Sequence, residues 1–236
     1  MQLKIAYSVN AATVSLEKAR AYAEEAFKKA GQDLDKVLPN FDKNYMVLQR
    51  QCKKAMNVPR IQMPVIEPSD INQFAKDIQK GRVDIFAPYA KGKFKFPESA
   101  KDEEWIGLGY ADGSKTDDVI RGNIKSIPVG KLVPTQSQIW LDKMIGNIIK
   151  FGPVKSGSPV LSLTIIVSKE GYILDGHHRY GQATLCDPGL KMKSLFVPLP
   201  IKELLEVGRA YGDWLGNSRK GSYRERLAAW FDFDHQ

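Results

Sequence analysis

The sequence predicts an α+β fold: a mainly helical N-terminal region followed by a core of mixed strands and helices. Three observations predict it. Apolar residues recur at helical spacing in two segments before residue 60. β-Branched residues crowd into Val160 to Val167, as in a buried strand. Finally, Tyr172-Ile-Leu-Asp-Gly-His-His-Arg-Tyr180 runs from an apolar stretch into a helix-like segment through a single glycine, which lets the backbone turn sharply.

The elements follow in order. Ser15 to Ala30 reads as an amphipathic helix, with Leu16, Ala19, Ala23, Ala26 and Phe27 on one stripe. Ser15 caps its start and Gly31 ends it. Phe41 to Met56 is a second helix, with Tyr45, Leu48 and Cys52 inward and Pro59 beyond its end. Ile61 to Pro68 is extended and interrupted by Pro64 and Pro68. A short helix starts at Ser69, passes through Ile71, Phe74, Ala75 and Ile78, and stops at Gly81. Arg82 to Phe86 reads as a strand. From 87 to 121 no period is visible, and a stretch of that length is a functional loop or a connection between domains. Ser137 to Phe151 is a helix, with Ile139, Trp140, Met144, Ile148 and Ile149 as core candidates. Gly157-Ser158-Pro159 is a turn, Val160 to Val167 a strand, His177 to Leu185 a helix, Leu195-Phe196-Val197 a strand and Ile201 to Leu215 a helix. A last helix is expected over Ser222 to Trp230. The organisation is therefore an N-terminal region over 1–120, a core over 121–215 and a tail over 216–236.

With 43% hydrophobic and 26% charged residues, the 236-residue chain can bury a sizeable core. Lys and Arg number 35 against 27 Asp and Glu, a net charge of +8, which favours a polyanionic partner. No run of roughly 18 apolar residues occurs, so no membrane helix is expected. The polar N-terminus does not read as a signal peptide, and two distant cysteines, Cys52 and Cys186, fit reduced thiols; a cytoplasmic location is the expectation.

The chemistry concentrates in Asp175-Gly176-His177-His178-Arg179. The first amides of a helix carry partial positive charge and lack partners within the helix. With an arginine fork and two imidazoles beside them, they form a phosphate-binding arrangement. Arg179 is expected to grip a phosphate, His178 to donate to a phosphate oxygen, and His177 to act as general acid or base. Asp175 can cap the helix, orient a histidine or hold Mg²⁺ through water. The competing reading is a structural turn with solvated histidines.

This segment resembles the signature of the ParB/sulfiredoxin superfamily. The Ile127-to-Gln136 segment looks like the first strand of that fold, ending in the Pro-Thr-Gln turn of ParB-like nuclease domains. The resemblance covers roughly residues 123 to 206 and implies a mixed sheet with flanking helices. On the functional reading Thr135 and Gln136 face the same pocket as Gly176, His178 and Arg179, around a nucleoside di- or triphosphate with Mg²⁺; a surface turn is the competing reading. Sulfiredoxins share the pattern of Gly176, His178 and Arg179, but His177 stands where their reactive cysteine would fall, which argues against sulfinic acid reduction. The His-His pair departs from the Gly-Glu-Arg-Arg turn of partition proteins, so their CTP preference does not carry over. Free serine kinases of the superfamily have a similar turn but use a glutamate where Gln136 stands.

Two other segments carry candidate chemistry. Tyr89-Ala-Lys-Gly-Lys-Phe-Lys-Phe96 alternates basic and aromatic residues, so Lys91, Lys93 and Lys95 are candidates for contact with nucleic acid; an edge strand with outward lysines is the competing reading. Asp112 to Asp118 contains Gly-Ser-Lys-Thr but lacks the spacing of a phosphate-binding P-loop. The expectation is a nucleotide-binding, phosphate-cleaving protein acting on DNA, a nuclease or NTPase. The alternatives are a small-molecule kinase and a non-enzymatic DNA-binding module with a nucleotide switch.

Overall fold

The computed structural model describes residues 10–81, 119–215 and 217. The strand expected at Arg82 to Phe86, the loop up to residue 118, Lys91, Lys93 and Lys95, the Asp112 to Asp118 segment and the helix expected at Ser222 to Trp230 lie outside the described residues.

The fold is α+β. Among the described residues four helices come first: α1 (Leu16–Lys29), α2 (Leu34–Val37), α3 (Phe41–Cys52) and α4 (Ile71–Gln79). Strands and helices then mix: β1 (Asn123–Pro128), β2 (Val133–Pro134), α5 (Leu141–Phe151), α6 (Pro159–Ser162), β3 (Ile165–Val167), β4 (Tyr172–Asp175), α7 (His177–Cys186), β5 (Lys191–Phe196) and α8 (Ile201–Trp214). The strands make one mixed five-stranded sheet in the order β1-β5-β3-β4-β2. The chain divides into two compact units built from interleaved segments. The first takes Met1–Asn57, Ser126–Thr164 and Gly176–Lys193; the second takes Val58–Lys125, Ile165–Asp175 and Ser194–Gln236.

In the first unit, Ser15 caps α1 as expected, its hydroxyl accepting from the Lys18 N–H, and Ala19, Ala23 and Phe27 are buried. Gly31 takes the left-handed conformation just past the end, at φ 69°. On the outer face Arg20 bonds Asp35, Asp42 and Glu24. α3 buries Phe41, Tyr45, Leu48 and Cys52, with the Phe41 and Tyr45 rings stacked at 5.8 Å. It ends four residues before the expected Met56, because the next amides, Lys54 and Ala55, close tighter turns onto Gln51 and Cys52.

Helix α7 is the centre of this unit. Tyr180, Gly181, Gln182, Ala183, Thr184 and Leu185 are all buried. A helix buried so completely must have its end carbonyls satisfied by protein. Asn44 does this from α3: its Nδ2 donates to the carbonyls of Leu185 and Cys186, each at 2.9 Å. Helix α5 packs against α7 at Gly181, where an added Cβ would lie 2.0 Å from Met144 Sδ.

In the second unit, β3 pairs antiparallel with β4, Ile166 opposite Asp175 and Val167 opposite Ile173, with an irregularity between. It pairs parallel with β5, Ile165 to Val167 opposite Ser194 to Phe196. The β3–β4 turn is built on Ser168, whose Oγ donates to Glu170 and accepts the amides of Glu170 and Tyr172. Helices α4 and α8 meet through Phe74 and Tyr211, with centroids 4.9 Å apart edge to face. The Tyr211 hydroxyl donates to Asp77, which is 1% exposed. Gly208 and Gly212 leave a groove on α8, where side chains would strike Leu174, Pro64 and the Val65 backbone. Pro64 and Val65 lie in the stretch expected to be extended, which opens instead with a 3-10 turn at Arg60–Gln62.

Other boundaries also differ from expectation. The Ile127-to-Gln136 strand is two strands, β1 and β2, separated by a 3-10 turn at Val129–Lys131; the Val129 and Gly130 amides leave the strand direction to bond Leu190 and Pro188. The helix expected from Ser137 starts at Leu141. The Val160-to-Val167 strand is shortened to Ile165–Val167, because Pro159, fixed at a helical φ, opens the short helix α6.

Gly181→Ala is expected to destabilise the protein by about 1–3 kcal/mol through overpacking. In the Gly181→Ala/Met144→Ala double variant the cost should fall below the sum of the two single costs, read by denaturant unfolding. Tyr211→Phe should cost about 1–3 kcal/mol by leaving the buried Asp77 carboxyl short of a donor, read the same way.

Candidate functional site

The turn before α7 rests on one residue. Gly176 sits at φ 95°, ψ 19° and occupies the N-cap position of α7. A residue with a Cβ pays roughly 1–2 kcal/mol in the left-handed region. Glycine has no side chain of its own with which to cap the helix.

The first unit brings Thr135, Gln136, His177 and His178 together. His177 is 5% exposed. Its Nε2 accepts from the backbone N–H of Thr135 at 3.1 Å and of Gln136 at 3.2 Å. A ring nitrogen has one in-plane lone pair, so the two amides share it, and the ring that supplies it is neutral with its proton on Nδ1. His178 Nε2 accepts from the Trp140 N–H at 3.3 Å. The lone pair that a general base at His177 would use is therefore engaged by backbone. Arg179 lies in the same unit, and its Nη1 donates to the carbonyls of Leu163 at 3.0 Å and Thr164 at 3.5 Å.

Thr135 is 0% exposed and its Oγ1 makes no hydrogen bond to the protein. A buried hydroxyl without a partner costs about 1–3 kcal/mol, and such atoms in native structures commonly answer to a water or a ligand. Gln136 is also buried, its Nε2 donating to the Gln138 carbonyl at 2.7 Å. Asp175 ends β4, half-buried, and belongs to the second unit.

Sequence reasoning missed Asn10. Its Nδ2 donates to the Ser137 carbonyl at 3.0 Å, it bridges Trp140, and the Ala11 amide donates to the Ile139 carbonyl at 2.8 Å. These bonds hold the 135–140 loop through its carbonyls, where the histidines hold it through its amides, and they explain why α5 begins only at Leu141. A lone asparagine some 127 residues upstream carries no local signal of this role.

Burial pushes the Cys52 thiol up to about 12 and the Cys186 thiol up to about 11, and Cys186 Sγ accepts the Val154 amide at 3.2 Å. Both are free thiols. Among the described residues no group of three or more His, Cys, Asp or Glu is placed to hold a metal ion, and no helix is long and apolar enough to cross a membrane. Comparison with family models, curated proteins and solved structures finds no match.

Because a raised thiol pKa keeps the thiolate fraction low below it, at pH 8 only about one Cys186 in a thousand and about one Cys52 in ten thousand is ionised. Native protein should accordingly resist a thiol reagent at pH 8, and both thiols should react once denaturant is added. Gly176→Ala should lower stability by about 1–2 kcal/mol through its left-handed backbone, read by thermal or denaturant unfolding.

Proposed function

We propose that the protein binds the phosphates of a nucleoside di- or triphosphate at the start of α7 and cleaves phosphate, acting on DNA as a nuclease or NTPase. The ParB/sulfiredoxin resemblance supplies the class. The observation that carries the reading is Thr135: a fully buried hydroxyl without a protein partner, on the residue whose amide is tied to the first side chain of α7. To reach that hydroxyl a phosphate oxygen has to displace the groups that cover Thr135, which is 0% exposed.

In this reading the α7 amides and the Arg179 guanidinium stabilise negative charge on the phosphate oxygens as it develops. His178, whose Nε2 accepts the Trp140 amide, is given the role of a donor to a phosphate oxygen. Phosphoryl transfer through a loose transition state needs little proton abstraction early on, so a glutamine can orient the attacking water without being its base. That is the role given to Gln136. Asp175, adjacent to the turn in sequence, is given the role of taking the water's proton or of facing Mg²⁺. Mg²⁺ binds through one or two carboxylates together with substrate phosphates, and would neutralise phosphate charge there. Such binding does not require a three-residue cluster. The net charge of +8 supports a polyanionic substrate.

A second reading is favoured by one observation. His177 and Arg179 both engage backbone groups, as in a site built to hold rather than to react. In it the nucleotide switches a DNA-binding module and no phosphate is cleaved.

The experiment is phosphate release from ATP, ADP, CTP and GTP with Mg²⁺, with and without DNA, beside a plasmid-nicking assay. Turnover that falls about a hundredfold in Arg179→Ala, the scale for losing one charged stabiliser, and comparably in Asp175→Asn, supports the hydrolase. Nucleotide binding without turnover in the wild type supports the switch. Absence of both nucleotide binding and turnover contradicts the proposal.

A further inference from the structure

We infer that His177 and His178 are positioning residues, which set the Thr135–Trp140 loop by accepting its backbone amides on their Nε2 lone pairs. Two neighbouring residues at the start of α7 reach the same short loop: His177 its first two amides and His178 its last. Asn10 and Ala11 bond the loop between these points, through the carbonyls of Ser137 and Ile139. The loop has no regular structure of its own to satisfy these groups, and buried amides must have acceptors. Carboxylates could accept the same bonds, but a neutral imidazole does so in a buried place without bringing charge into it. The loop carries the Thr135 hydroxyl, so the clasp decides where that hydroxyl points. The consequence for phosphate binding rests on the function proposed above; the clasp itself does not.

Glutamine is the discriminating replacement, because its side-chain carbonyl reaches to where Nε2 stands and accepts hydrogen bonds without a titratable ring. Amide hydrogen exchange by NMR on the full chain should show Thr135 and Gln136 losing about tenfold or more of their protection in His177→Ala, the scale of one net hydrogen bond. Trp140 should do so in His178→Ala. The glutamine variants should regain it. In the wild type, ¹⁵N shifts should report both rings as Nδ1–H tautomers. Inorganic pyrophosphate, titrated as the probe, should bind more weakly to His177→Ala and recover in His177→Gln. An Nε2–H tautomer at His177, or unchanged protection in His177→Ala, overturns the clasp. Protection lost and regained with pyrophosphate affinity unaltered overturns its link to the phosphate site. If the wild type binds no pyrophosphate, the proposed function fails, while exchange and tautomer still decide the clasp. Should His177→Ala fail to fold, the wild-type tautomer and the glutamine variant decide it.

Discussion

The contact between His177 and the Thr135–Gln136 backbone is the constraint on which the site depends. It joins the first residue of α7 to the strand end at Pro134, across about forty residues of sequence. The ring is an acceptor for backbone, buried and neutral, and thus behaves as a structural part of the loop it holds. Every expectation about the reactive role of this residue has to pass through that fact. A proton could be taken up at Nε2 only if both amides let go.

The surroundings make such a contact rigid. α7 is buried along most of its length, its last carbonyls are capped by Asn44, and Gly181 admits α5 so closely that no side chain fits. Close-packed interiors have discrete arrangements rather than continuous play. The position of His177 is therefore fixed by residues at both ends of the helix: Gly176, whose left-handed backbone starts it, and Asn44, which closes it. Substitution of Asn44 or Gly181 would therefore be felt at His177 through the helix.

Much of this was legible in the sequence, and the reasons are physical. α1, α4 and α8 were readable because their apolar stripes and stop residues are local. So was the strand–glycine–helix turn at Asp175 to His177, since only glycine adopts that backbone at small cost. The errors arose where distant partners or a single proline overrule local preference. Ser137 to Trp140 has helical periodicity, but Asn10, Ala11 and His178 take its backbone groups and delay the helix to Leu141. Val160 to Leu163 is apolar enough for a strand, yet Pro159 starts a helical turn there. Thr135, Gln136, His177 and His178 stand out in the sequence, whereas the direction of their hydrogen bonds does not. Sequence says that a histidine titrates near neutrality; only geometry says which nitrogen faces a donor.

The central claim is that the start of α7 is a phosphate site whose rim is fixed by His177. The most direct test is a ¹⁵N-resolved NMR titration of the wild-type chain with a non-hydrolysable nucleoside triphosphate analogue, with sulfate as a control for bulk charge. Saturable shifts are expected to concentrate on the amides of Gly176 to Arg179 and on Thr135, at analogue concentrations where sulfate moves nothing. Shifts spread over exposed lysines and reproduced by sulfate, with the α7 start unmoved, would contradict the claim.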